Sequence, residues 1–134
     1  MTVILCVDNR FGLTFNKRRV SRDSAVTADI LNSLSGGRLF LCERSEILFE
    51  KAKNTFACED FLEKAGENDL CFVEDREIAP YMAKIKKIVL YRWNRDYPSD
   101  FRFDPALLEG FTLKETAEMI GTSHETITKE VYER

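Results

Sequence analysis

The chain is poor in the residues that imidazole and metal chemistry require. Its only histidine is His124, which argues against the common metal-dependent hydrolases and most nucleophile–histidine–acid triads, since these draw on an imidazole as base. The four cysteines, Cys6, Cys42, Cys58 and Cys71, are widely separated and lack the short spacing of metal ligands. Buried free thiols are the simpler reading of them, with a zinc or redox pair as the other, and no metal site is expected. No apolar run approaches the roughly 20 residues of a membrane span. The opening MTVILCVDNR has neither a basic segment nor a small-residue cleavage site, so a cytoplasmic protein without a membrane partner is expected. Excess positive charge is lacking too. A formal net charge of −3 gives no overall attraction to nucleic acid or to an anionic membrane. Repeats and low-complexity segments are absent from the sequence.

What the chain does have is enough apolar material for one core. Its 134 residues are 44% hydrophobic, which points to a single globular domain spanning 1–134. The most informative stretch is 69–103. An apolar run (Leu70, Cys71, Phe72, Val73) passes through a charged turn (Glu74, Asp75, Arg76) and a helix-period segment into a second apolar run at 88–93. That pattern predicts a strand, a crossover helix and a parallel strand. Ligands of open parallel sheets sit at the carboxyl ends of strands, so Glu74 to Arg76 is the expected rim of a site.

Upstream, residues 3–7 read as a buried central strand bounded by Asp8, Asn9 and Gly12. Residues 16–22, NKRRVSR, place Lys17, Arg18, Arg19 and Arg22 in a loop ahead of a helix that Ser21 or Asp23 can cap. Two readings follow: an anion-binding loop at a positive helix end, or a solvated charge run. The helix carries Ala25, Val26, Ile30, Leu31 and Leu34 and is expected to stop at Gly36-Gly37. A second strand is expected at 38–42. A helix at 46–53 with Ile47, Leu48 and Ala52 inward follows, with Arg44 and Ser45 at the junction. Those two suit a phosphate, although such a serine more often caps the helix. A brief strand at 55–57 and a short helix at 59–65 complete this half, and Pro98 and Pro105 keep 94–105 out of helix.

The tail, 111–134, admits two readings. As a helix-turn-helix, Ser123 would cap a recognition helix and His124, Thr126 and Lys129 would face DNA. Thr116, Thr122 and Glu130 then stand where aliphatic residues should seal the helices, and Glu125, Glu130 and Glu133 would repel phosphate. As a β-hairpin, Phe111, Leu113 and Ala117 face inward, residues 121–124 turn, and Ile127 and Val131 face inward on the return. Thr112, Thr116, Thr126 and Thr128 favour strand. Glu115 and Lys129 fall on the inward phase and call for an edge position or a bulge.

With the hairpin in place, the order of strand, basic loop, helix, strand, helix, strand-helix-strand, polar loop and hairpin resembles the dihydrofolate reductase fold. The similarity is best over residues 70–103, including Lys87 and the SDFRF stretch, similar to the family's GDTxF. The ending Tyr132-Glu133-Arg134 and the start, residues 3–12, are also similar. The resemblance implies an α/β fold of three layers, with a mostly parallel central sheet, flanking helices and a C-terminal antiparallel hairpin. It also implies that Asp23 stands where the family's pterin-binding, proton-delivering carboxylate does, with Tyr91 in place of the threonine that supports it and Phe15 the nearest aromatic to an absent loop tryptophan. Only Arg44 and Ser45 resemble the family's cofactor-binding Gly-Arg-x-Thr. Where the family has a glycine-rich turn for the cofactor pyrophosphate, this chain has Val73, Glu74 and Asp75, whose side chains obstruct the approach and whose carboxylates repel phosphate. The stretch from 53 to 69 is too short for the strands that flank the adenosine half. The expectation is therefore a protein that has lost standard NADPH-dependent reduction of dihydrofolate and binds a small anionic or heterocyclic ligand, with Arg18, Arg19 and Arg22 on anionic groups and Asp23 on a ring nitrogen. A residual NADPH-dependent reductase and a DNA-binding regulator are the alternatives.

Overall fold

The computed structural model describes residues 1–50 and 52–134. Strand β1 (Thr2–Val7) lies at the centre, in parallel register with β6 (Leu70–Phe72) on one side and β7 (Lys87–Arg92) on the other. The segment joining β6 to β7 therefore crosses over β1. Outward from β6 come β4 (Leu39–Leu41) and β5 (Thr55–Ala57), both parallel. Outward from β7 come β10 (Ile127–Glu133) and the edge strand β9 (Thr112–Met119), both antiparallel. The seven-stranded order is β5-β4-β6-β1-β7-β10-β9. A separate antiparallel sheet joins β3 (Arg18–Arg19), β2 (Gly12–Phe15) and β8 (Phe101–Arg102).

Alternation along the central strands sends apolar side chains to both faces, and each face is covered. On one, helix α1 (Ser24–Asn32) lays Val26 and Ile30 against Ile4, Val89 and Tyr91. On the other, helix α2 (Phe61–Lys64) contributes Phe61 and Leu62 to a cluster with Val3, Leu5, Val7 and Leu90. The result is an α/β fold with a mostly parallel central sheet. All four cysteines are free thiols, Cys42 and Cys71 fully buried, and no cluster of potential metal ligands occurs among the described residues.

Helical content is lower than the periodicity predicts. The segment expected as a helix at 46–53 is a 3₁₀ segment, Glu43–Phe49, anchored by Ser45 and Phe49, while Ile47 is 53% exposed. Residue 51, in the remainder of that expected helix, lies outside the described residues. The crossover expected as a helix is a 3₁₀ segment, Ala79–Lys84, with Pro80 in its first turn and Ile78 and Ile85 buried at either side. Two buried anchors with so few residues between them leave no length for a longer helix. Helix α1 ends at Ser33, before Gly36-Gly37, because the Ser33 N–H reaches the Asp29 and Ile30 carbonyls and its hydroxyl donates to Ile30 O at 2.7 Å.

The basic loop is a tight hairpin. Asn16 and Lys17 link β2 to β3 with φ of 51° and 66°, the paired left-handed conformation of a two-residue hairpin turn. The tail is a hairpin as well, which removes the helix-turn-helix reading: Thr122, Ser123 and His124 lie in the connection, and Thr126 and Lys129 on or beside β10. Ile127 and Val131 are buried as expected. Leu113 and Ala117 are not, because β9 is the sheet edge and no element among the described residues covers it. Of the two misfit charges, Glu115 stands on that edge beside a register shift between Val131 and Tyr132. Lys129 reaches Asp29 on α1 at 2.8 Å.

At the hairpin connection the backbone approaches α1 closely. A Cβ on Gly121 would stand 2.6 Å from Asp23 Oδ2 and 2.6 Å from the His124 carbonyl oxygen. Gly121→Ala is expected to destabilise the fold by about 1–3 kcal/mol, read by urea denaturation; an unchanged midpoint would contradict this packing.

Candidate functional site

The carboxyl ends of β1, β6 and β7 open onto loops tied down by two buried carboxylates. Asp8, directly after β1, accepts from Gly12 N at 2.7 Å, Arg10 N at 2.9 Å and Tyr97 N at 2.9 Å. It thereby joins the turn into β2 to the loop after β7. Burial alone would raise its pKa, but the Tyr97, Gly12 and Arg10 amides outweigh that and hold it below the usual carboxylate range.

Asp23 is the second. Its Oδ1 accepts from Ala25 N, Thr122 N and the Thr122 hydroxyl, each at 2.9 Å. Its Oδ2 accepts from Ser123 N at 2.8 Å, His124 N at 3.2 Å and His124 Nδ1 at 3.0 Å. Asp23 is therefore the helix cap, in preference to Ser21, and also the anchor of the C-terminal hairpin connection. Burial pushes its pKa up, yet the donors from Thr122, His124, Ser123 and Ala25 prevail and hold the carboxyl far below its ordinary value. The group is a fixed anion whose acceptor positions are occupied by the protein itself, which leaves it no proton to deliver and little capacity to read a ligand's ring nitrogen.

A carboxylate accepts only, so the His124 Nδ1 facing Asp23 carries a hydrogen, and in the neutral ring Nε2 then presents a lone pair. Two hydroxyls share it, Tyr97 at 2.8 Å and Ser21 at 3.1 Å. The imidazole is stacked on Trp93, with ring centroids 4.6 Å apart and planes 19° from parallel. Trp93 Nε1 is a buried donor with no partner among the described residues. Sequence reasoning discounted His124 because it stands alone, but an Asp–His–Ser arrangement needs only one imidazole. The sole signal within reach was Asp23 serving as a cap, and nothing local connects positions about a hundred residues apart.

The expected ligand rim is closed by ion pairs. Arg19 grips the buried Glu74 with both arms, Nε to Oε2 at 2.8 Å and Nη2 to Oε1 at 3.0 Å, and donates to the Arg44 carbonyl at 3.0 Å. Ser45 is neither a helix cap nor free, because its hydroxyl donates to Glu74 Oε1 at 2.6 Å. Arg44 bonds the Lys17 carbonyl and approaches Asp75 Oδ2 at 3.5 Å. Asp75 is also paired with Arg76 at 3.1 Å. The basic hairpin and the acidic turn, read separately in sequence, neutralise each other.

The remaining expected contacts are dispersed. Arg18 is exposed and lines a cavity of about 410 Å³ with Phe15, Asn16, Val20, Tyr97 and Pro98. Arg22 is exposed, and neither Arg18 nor Arg22 has an acidic partner among the described residues. Tyr91 lies elsewhere, under α1, donating to Asp29 Oδ2 at 2.6 Å; burial first, then that bond, push its hydroxyl pKa up. It lines a separate cavity of about 220 Å³ with Ile4, Val89, Lys129 and Val131. No protein-family model and no curated protein matches the chain.

The Asp23 geometry has a pH signature. Its folded-state pKa lies below the unfolded value of about 3.9. Its stabilisation is therefore complete above about pH 4 and is lost as pH falls toward the folded value. Asp23→Asn, which leaves several donors without a charged acceptor, is expected to cost about 2–4 kcal/mol at neutral pH and to flatten the acid side of the stability profile. Urea midpoints of both proteins from pH 6 to pH 3 check this; parallel profiles would contradict it.

Proposed function

We propose that the chain is a divergent dihydrofolate reductase-like domain that binds a small anionic or heterocyclic ligand and does not carry out standard NADPH-dependent reduction of dihydrofolate. The element order supports this: a central strand, a basic hairpin, α1, β4, then the unit from β6 to β7 and a closing antiparallel pair. The observation that carries the functional part is the Arg19–Glu74–Ser45 net. A nicotinamide dinucleotide needs a turn at the end of β6 whose backbone its pyrophosphate can approach. Here that turn holds a buried carboxylate and its arginine, and Asp75 adds a second negative charge beside it. Opening the pocket would strand Glu74 without its partners, at a cost of several kcal/mol.

The ligand site of this reading is the cavity at the β2–β3 hairpin. Arg18 supplies a cation with no acidic partner among the described residues, Phe15 is half exposed and offers a face for a ring, and Tyr97 and Pro98 form the opposite wall. A singly or doubly charged small anion, or a flat heterocycle carrying one, fits that combination.

Thermal shift titration with inorganic phosphate, folate analogues and NADPH tests the reading, since a ligand bound only by the native state raises the melting temperature by mass action. Phosphate or a folate analogue is expected to stabilise the protein, and Arg18→Ala with Arg22→Ala to weaken that binding about tenfold or more. A saturable NADPH shift that survives these two substitutions would contradict both the ligand and its location.

A further inference from the structure

The cluster around His124 goes beyond ligand binding. Asp23 Oδ2 stands 3.0 Å from Nδ1, and Ser21 Oγ stands 3.1 Å from Nε2. The carboxylate is buried and held by backbone amides, including that of His124 itself at 3.2 Å. It therefore holds the ring in one tautomer and one orientation, as the third member of a nucleophile–base–acid arrangement must. Stacking on Trp93 prevents the ring from turning away. Ser21 lies between β3 and α1, partly exposed, and so is within reach of a molecule from solvent. It is flanked by Val20, which lines the cavity at the β2–β3 hairpin, and by Arg22, which is exposed and has no acidic partner among the described residues.

We propose that Ser21 is a nucleophile, His124 its proton acceptor and Asp23 the positioning carboxylate, and that the chain hydrolyses an ester of a small anionic acid. Ser21 Oγ attacks the carbonyl carbon while its proton passes to His124 Nε2. The carbon–oxygen bond to the alcohol breaks, and His124 returns the proton to the departing oxygen, leaving an acyl group on Ser21. Water then attacks that acyl carbon, giving a proton to Nε2, which passes it back to Ser21 Oγ as the acid leaves. Ester and water become acid and alcohol, with no change of oxidation state. The Tyr97 hydroxyl, 2.8 Å from the same nitrogen, competes for the lone pair in the resting state.

The preference for an anionic acid rests on the ligand reading above, because Arg18 and Arg22 would supply it, whereas the nucleophile does not. An uncharged alkyl fluorophosphonate, which reports serine nucleophilicity without calling on those arginines, separates the two. The full chain is expected to gain one phosphonyl adduct that maps to Ser21, in Arg18→Ala as well. Ser21→Ala is expected to gain none and to hydrolyse p-nitrophenyl acetate about a hundredfold more slowly than the parent protein. Tyr97→Phe, which removes the competing hydroxyl, is expected to label faster. Absence of an adduct on folded protein, an adduct elsewhere, or equal ester turnover by Ser21→Ala would overturn the proposal. Loss of phosphate binding in Arg18→Ala with Ser21 labelling intact supports both assignments together.

Discussion

The Asp23 carboxylate is the contact on which the upper half of the molecule depends. Burying an ionised carboxylate is costly unless its oxygens are filled, and here they receive six donors drawn from two places distant in sequence: Ala25 at the start of α1, and the run 122–124. One anion thus caps a helix and closes the connection of the C-terminal hairpin. Gly121 is where the approach becomes so tight that a side chain has no room. The hairpin in turn delivers β10 to β7, completing the antiparallel side of the sheet.

The same economy governs the rest of the mouth. Asp8 ties the β1 turn to the Tyr97 loop through amides, and Glu74 ties the end of β6 to the basic hairpin through Arg19 and to the segment after β4 through Ser45. Three buried acids therefore hold three loops over the carboxyl ends of the strands. Charge that a sequence scan assigns to ligands is largely consumed within the fold. What is left over is specific: Arg18 and Arg22 without acidic partners among the described residues, a half-exposed Phe15, and the Nε2 of His124 facing two hydroxyls.

How much of this was legible follows from the range of each interaction. Strands β1, β4, β6 and β7 were readable because a short apolar run between polar boundaries reports burial on both faces, a local property. Asp23 as a cap was equally local. The tail was open between hairpin and helix-turn-helix, because the strand preference of Thr112, Thr116, Thr126 and Thr128 is a local signal while the pairing of the tail with β7 is not; only the order of elements along the whole chain favoured the hairpin. Helices at 46–53 and across β6 to β7 were overestimated because apolar spacing near three or four residues does not distinguish an α-helix from a short 3₁₀ segment held at both ends, as by Ile78 and Ile85. Exposure along β9 was missed because alternation reveals a pleat without revealing whether anything covers it. The pairing of Arg19 with Glu74 and of His124 with Asp23 joins residues 55 and 101 positions apart, and side chains at such separation meet only through the topology. Each was therefore read as available when it was already engaged.

Asp23, ionised at neutral pH, holds the neutral His124 ring with its hydrogen on Nδ1 and its lone pair on Nε2. Because His124 is the chain's only histidine, imidazole nitrogen-15 NMR of uniformly labelled protein gives a single ring to assign. The neutral ring is expected to show a protonated, pyrrole-type Nδ1 and an unprotonated, pyridine-type Nε2, and Asp23→Asn to abolish this preference. A neutral ring protonated at Nε2 in the parent protein would contradict it.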